Sequence, residues 1–184
     1  MRKITFSALL ICILLLLSSC GNGILEEQKY QSVYDDLVSK MLASSIIAEE
    51  LCNDTVSVWH NSIYKINSAD TDLYTLNNKG AFFEDFNDAL DSFSSSDEYK
   101  RKVYEIQKNN NYINELLHVI KNPPEKYKGN MLDAFVDFYS SYQSFIQLTL
   151  NFNESYNSFT EKFGKIDESV IEAYRKAAFY MSGN

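Results

Sequence analysis

Apolar residues recur along this chain at steps of three and four, and no two-residue alternation persists. That spacing gathers side chains on one face of an α-helix, whereas alternation would mark a strand. In the first long segment, 25–66, the stripe runs Tyr34, Leu37, Met41, Ser44, Ala48, Cys52, Thr55, Trp59, Ile63 and Ile66. Its mean step of about 3.6 describes one face of a nearly straight helix. Ser44, Ser45 and Ala48 are small and admit a close neighbour midway.

Residues 67–80 are rich in Asn, Asp, Ser and Thr and read as a connector with little regular structure. A helix over 81–93 follows, with Phe82, Phe83, Phe86, Leu90 and Phe93 as its stripe. Ser94-Ser95-Ser96-Asp97 interrupts it, and Ser95 with Glu98 three residues later has the pattern of a capping box. The next helix carries Tyr99, Val103, Ile106, Ile113, Leu117 and Ile120, with Asn110 inside the stripe. Pro123-Pro124 ends it, because a residue before proline is pushed out of the α region and proline suits a first helical turn. The last segment steps four-three from Met131 through Phe138, Phe145, Thr149, Tyr156 and Phe163 to Tyr180, the register of bundle helices. Gly164 costs ~1 kcal/mol relative to alanine inside a helix. The sequence therefore predicts a bend or short break there, then helix to about Met181. The expected fold is all-α, an elongated antiparallel three- to four-helix bundle. Its layers are the first helix, the broken pair over 81–121 and the last segment, with residues 167–181 as an extension or fourth packing element.

The N-terminus has a separate logic. Arg2 and Lys3 precede an apolar run from Phe6 to Leu17, and small residues follow. The run is about a dozen residues, short of the ~20 that a spanning helix needs, and has the layout of a secretory signal. Leu17-Ser18-Ser19-Cys20-Gly21 resembles the lipobox of bacterial lipoproteins. The resemblance covers the first ~23 residues. It implies a signal over 1–19 that is removed, acylation of Cys20, and a cell-membrane protein held by lipid on the exported side. Gly21-Asn22-Gly23 then reads as part of a flexible spacer over 20–24, ahead of a helical domain over 25–184. Buried acyl CH₂ groups contribute ~0.8 kcal/mol each, so two chains hold stably where one holds marginally. Asn122-Pro123-Pro124-Glu125-Lys126-Tyr127 and the Phe/Tyr ladder after it, residues 122–163, are similar to all-helical bacterial lipoproteins without an assigned activity.

Charge narrows the partners. The chain has 17 basic and 25 acidic residues, and the signal takes two of the basic ones. So acidic a domain lacks the basic patch that phosphate neutralisation needs, which excludes nucleic acid as a partner. Like-charge repulsion also disfavours docking on anionic head groups, so lipid on Cys20 is expected to be the sole membrane contact.

Little in the sequence points to chemistry. Of three cysteines only Cys52 lies in the domain after Cys20, at a stripe position, and reads as a buried thiol. Glu115-Leu116-Leu117-His118 is a single E-x-x-H on a polar helix face, where di-iron bundles use two. Trp59 continues the first stripe, and His60 beside it lacks an evident partner. Glu84, Asp85, Asp88 and Asp91 form an acidic face, and Asp70-Thr71-Asp72 lacks the glycine and distal glutamate of an EF-hand. No phosphate loop, nucleophile elbow or Cys/His cluster occurs. No catalytic residue, metal ligand or cofactor is therefore expected. Tyr64, Tyr104, Tyr112, Tyr127 and Tyr139 fall off the stripes or at their edges and form the candidate contact surface. The expected function is a lipid-anchored, non-enzymatic binding or structural module that meets an envelope or extracellular protein. The alternative is a ligand-binding or metal-dependent hydrolytic domain with a cleft between helices, which would need more inward polar groups than Asn110, Thr149 and the small serines.

Overall fold

A computed structural model describes residues 4–182, with side chains from Gly23 onward. Arg2 and Lys3 of the expected signal, and the side chain of Cys20, lie outside the described residues. The elements are α1 (Ile4–Tyr64), α2 (Asp72–Thr75), α3 (Phe86–Ser94), α4 (Asp97–Ile120), a 3-10 turn (Glu125–Tyr127), α5 (Asn130–Leu150) and α6 (Tyr156–Ala178). The fold is all-α, and the helices pack on one another. Among the described residues the one β pairing is an isolated bridge, Leu76 with Phe82. No described helix is long and apolar enough to cross a membrane.

Of the long helices, α1 runs antiparallel to α4 and to α6, and α5 runs antiparallel to α6. Along α1 and α4, Lys102 meets Asp54, Asn109 meets Ser44 and the Tyr30 hydroxyl reaches the Ile120 carbonyl. Along α1 and α6, Trp59 meets Phe159 while the Tyr34 hydroxyl donates to the Ala177 carbonyl at 2.9 Å. Along α5 and α6, Phe145 meets Phe163 and Phe138 meets Tyr174. α1 and α5 are therefore parallel, as Tyr34 with Phe135 and Cys52 with Thr149 also indicate. α1 touches α4, α5 and α6, whereas α4 and α6 do not touch each other. This central place explains why α1 buries more than one stripe: Val38, Ser45, Leu51, Val58 and Ser62 are buried beside Tyr34, Leu37, Met41, Ser44, Ala48, Cys52, Thr55 and Trp59.

Four local expectations are corrected. The last segment does not break at Gly164, which lies inside α6; it turns over 151–155 instead. Asn151 leaves the helix in an extended conformation, and the Ser155 hydroxyl caps α6 by accepting from the Ser158 amide. Asn and Ser compete for backbone hydrogen bonds and favour such positions. The apolar register ran through this turn undetected because both helices bury the same stripe against α1: Phe138, Phe145, Phe159, Val170 and Ala177 are all in the core. The helix expected over 81–93 starts at Phe86, because the Asp85 carboxylate caps it by accepting from the Asn87 amide at 2.8 Å. The cap of α4 is Ser96, which accepts from the Tyr99 amide, rather than Ser95. Residues 20–24, expected as a flexible spacer, are helical in backbone as part of α1.

A Cβ added at Gly164 meets nothing within 4 Å. Gly164→Ala should therefore raise stability by about 0.5–1 kcal/mol by removing unfolded-state freedom. Urea unfolding measures this, and a loss of stability would mean that the backbone at 164 is not helical.

Candidate functional site

The structure does not gather the five tyrosines into one surface. Tyr64 ends α1, and Tyr127 lies at the other end of the bundle, stacked on Tyr30 with ring centroids 5.2 Å apart. Thirty-four residues of α1 separate Tyr30 from Tyr64, about 50 Å of helix. Tyr112 donates to the Asp36 carboxylate with Lys40 over its ring, and Tyr139 donates to the Asn114 side chain. These two serve the α1–α4 and α4–α5 seams. Tyr64 and Tyr104 are the most exposed of the five, at 61% and 66%.

The far end, where α1 stops, holds the larger apolar exposure. α1 closes with the Ile66 amide bonded to the Asn61 carbonyl and with Lys65 at φ 54°, a left-handed stop of the kind glycine usually makes. Lys65 holds this conformation while its ammonium donates to the Phe83 carbonyl and lies over the Phe82 ring. α2, the turn around Gly80 (φ 74°) and α3 then fold over the end of α1 as a cap. The Asn77 carboxamide oxygen tightens that turn by accepting from the Lys79 and Ala81 amides. Ile63, Tyr64, Ile66, Leu73 and Phe86 are exposed on this cap, Leu73 by 77%. Glu84, Asp85, Asp88 and Asp91, on α3 and the residues before it, are exposed as well. Trp59 is buried beneath, with Phe86, Tyr156 and Phe159 about 6 Å from its ring. Its indole N–H and the Ser62 hydroxyl have no hydrogen-bond partner. Ile63 and Ile66 continue the α1 stripe past the point where α4 and α6 cover it, which is the sequence signal that locates this surface.

The described surface grooves lie at the near end, where α1 enters the bundle. One of about 470 Å³ is lined by Glu27, Gln31, Asp35, Lys126 and Tyr127. Its polar groups are engaged in holding the chain together. Gln31 donates to the Tyr180 carbonyl and to Asp35, Ser182 donates to Asp35, and Lys126 pairs with Glu27. The groove is a seam between α1, the 3-10 turn and the end of α6.

Other candidate groups stand apart from one another. Glu115 and His118 are exposed, and the His118 ring is hydrogen-bonded to the Glu115 carbonyl oxygen of its own helix. His60 is half-buried against Asn61 and Tyr64. Among the described residues no three His, Cys, Asp or Glu side chains group to hold a metal. Asn110, inside the α4 stripe, accepts from the Gln143 side chain at 2.8 Å and so joins α4 to α5. Lys102, with 12% of its side chain exposed, meets Asp54, Glu50 and Glu98 at 3.1–3.5 Å. Burial works to lower its pKa, but the Asp54 hydrogen bond and the three carboxylate charges outweigh it and raise the pKa.

Cys52 is fully buried, with its sulfur 3.4 Å from the Thr149 hydroxyl. Burial pushes the thiol up to about 12 against the opposing Thr149 hydrogen bond, with Asp167 and Glu49 adding to the rise. A thiol so buried and so raised keeps its proton at neutral pH, and the thiolate is the reactive form. Alkylation of the native chain near pH 8, read by peptide mass, should leave Cys52 unmodified until denaturant is added; rapid native labelling would show that α1 and α5 separate there.

The chain matches no known family model, no curated protein and no solved structure.

Proposed function

We propose that this chain is a lipid-anchored, non-enzymatic interaction module of the cell envelope. Cys20 carries the acyl chains, and the bundle presents its far cap to a protein partner on the exported side. The observation that carries this reading is the cap itself. Exposed Ile63, Tyr64, Ile66 and Leu73 lie at the end of α1 opposite Cys20, and exposed Asp70, Glu84 and Asp85 belong to the segment that folds over that end. Forty-four residues of helix separate Cys20 from Tyr64, a reach of about 65 Å. Apolar side chains fringed by charge are the composition of a contact surface rather than of a solvated tip. The core supports the same reading, because its large members are Trp, Phe, Tyr, Leu, Ile and Met packed into one cluster.

Two measurements test it. The intact mass of membrane-extracted protein should show acyl chains on Cys20, and Cys20→Ala should lack them. A photoreactive residue at Leu73 should give a discrete cross-linked product in cells that Ile66→Ser abolishes, whereas the same group at Tyr104 should not. Identical products from both positions would refute the cap as the contact.

A further inference from the structure

We propose that the near end of the bundle rests directly on an anionic lipid surface, with Lys121, Lys126 and Lys128 against the head groups and Ile24 and Leu25 entering the interface. The proposal rests on the anchor reading above for its orientation, and it reverses what net charge alone suggests. The charges of this protein are segregated along its length. The near end, residues 23–32, 117–133 and 172–182, carries six basic and five acidic side chains. The rest of the chain from Cys20 onward carries nine basic and twenty acidic ones. Repulsion from an anionic membrane therefore belongs to the far part. Beyond Glu26 and Glu27, which belong to the near end, the next carboxylate along α1 is Asp35, eleven residues from Ile24, about 16 Å of helix. That is about twice the Debye length at physiological ionic strength, so the acidic remainder is screened from a surface in contact with the near end.

The side chains at this end are disposed for such contact. Ile24 and Leu25 are 57% and 64% exposed, and Phe179 at the end of α6 is 75% exposed. Lys126 and Lys128 hold most of their side chains in solvent, where their pairs with Glu27 and Glu125 compete weakly with head groups. Lys121 is exposed with no ion pair among the described residues. Tyr127 stacks on Tyr30 and lies under the Lys126 ammonium, which places an aromatic ring beside the cations. Exposed apolar residues among lysines, with an aromatic ring at their level, are the composition of interfacial segments. Ile24 follows Cys20 by four residues, about 6 Å of helix, so lipid on Cys20 brings this end to the bilayer without further reach.

The test is amide hydrogen exchange of the full chain in vesicles of neutral phosphatidylcholine, with or without about 30% phosphatidylglycerol. Residues 119–130 should exchange about threefold or more slowly in the anionic vesicles, and the difference should vanish in about 0.5 M salt. Residues 66–76 at the far end should exchange alike in both. The triple variant Lys121→Glu, Lys126→Glu, Lys128→Glu should lose the slowing while its far-end exchange stays native, which shows that it folds. Equal exchange in both vesicles, or slowing that survives in the triple variant, overturns the proposal. The mass of Cys20 in the same sample is scored separately: slowing without acyl chains refutes the anchor alone, and acyl chains without slowing refute only this contact.

Discussion

Phe138→Ala is expected to cost about 3–5 kcal/mol, the usual loss for deleting a fully buried phenyl ring whose cavity cannot collapse. Phe138 is 0% exposed on α5, with the Tyr174 ring of α6 5.6 Å away. Both helices are anchored on either side of the site, at Phe135 and Tyr142 on α5 and at Val170 and Ala177 on α6, so the walls have little freedom to close. Single domains hold only about 5–15 kcal/mol in total, so this variant should sit near its unfolding midpoint at modest urea. Phe163→Ala, at a half-buried position of the same stripe, should cost visibly less. Equal losses in the two variants would mean that the stripe is not buried as described. Unfolding followed by circular dichroism measures both.

Alkaline pH should unfold the domain steeply between about pH 10 and 12. Burial pushes the Tyr30 hydroxyl up to about 12, helped by the neighbouring Tyr127. Burial also pushes Tyr142, whose hydroxyl has no hydrogen-bond partner among the described residues, up to about 12, with help from Tyr139. Tyr34 is raised further, by burial and then by Tyr30, Tyr180 and Asp35, and Tyr99 is raised by burial and by Cys52. The sign follows from proton counting. Above the ordinary tyrosine value near 10, the unfolded chain loses these protons while the folded chain keeps them. The stabilisation is whole below about pH 10 and falls as pH climbs towards the folded values, by ~1.4 kcal/mol per pH unit for each such group. The Cys52 thiol adds to the same fall, from a lower starting pH. Tyrosinate absorbance should therefore rise together with loss of helical circular dichroism in one cooperative step. Gradual ionisation of all tyrosines near pH 10, with helix intact, would contradict buried hydroxyls.

The helices are legible in the sequence wherever one stripe faces chiefly one partner. The stripe of α4 is the plainest case: Tyr99, Ile106, Ile113 and Ile120 are its buried residues, seven apart. α1 was half legible. Its stripe is buried from Tyr34 to Trp59, but a helix with neighbours on several sides buries more than a stripe, and Val38 and Leu51 belong to faces that no single periodicity isolates. The turn at 151–155 escaped because hydrophobic register records which face is buried and is indifferent to chain direction. Asn151, Asn153 and Ser155 held the missing information in their backbone preferences, whereas the conspicuous Gly164 lies exposed within α6, where tertiary packing overrides its propensity. The contact surface was the least legible part. Tyrosines were singled out by residue type, yet Tyr112 and Tyr139 spend their hydroxyls on inter-helix bonds, and the exposed apolar cap came from Ile63, Ile66 and Leu73. Exposure at a helix end depends on where the neighbours stop, which no local pattern encodes.

The five-residue turn between α5 and α6 has a further consequence. Because the apolar register passes through it unbroken, α6 of a second molecule would meet the same side chains that α6 of the first meets. Replacing Asn151, Asn153 and Ser155 with alanine would favour one continuous rod over the hairpin, and two such rods would satisfy each other by exchanging their C-terminal helices. The polar turn is therefore what folds α6 back on its own α5, in a pattern that a pair of chains could equally complete.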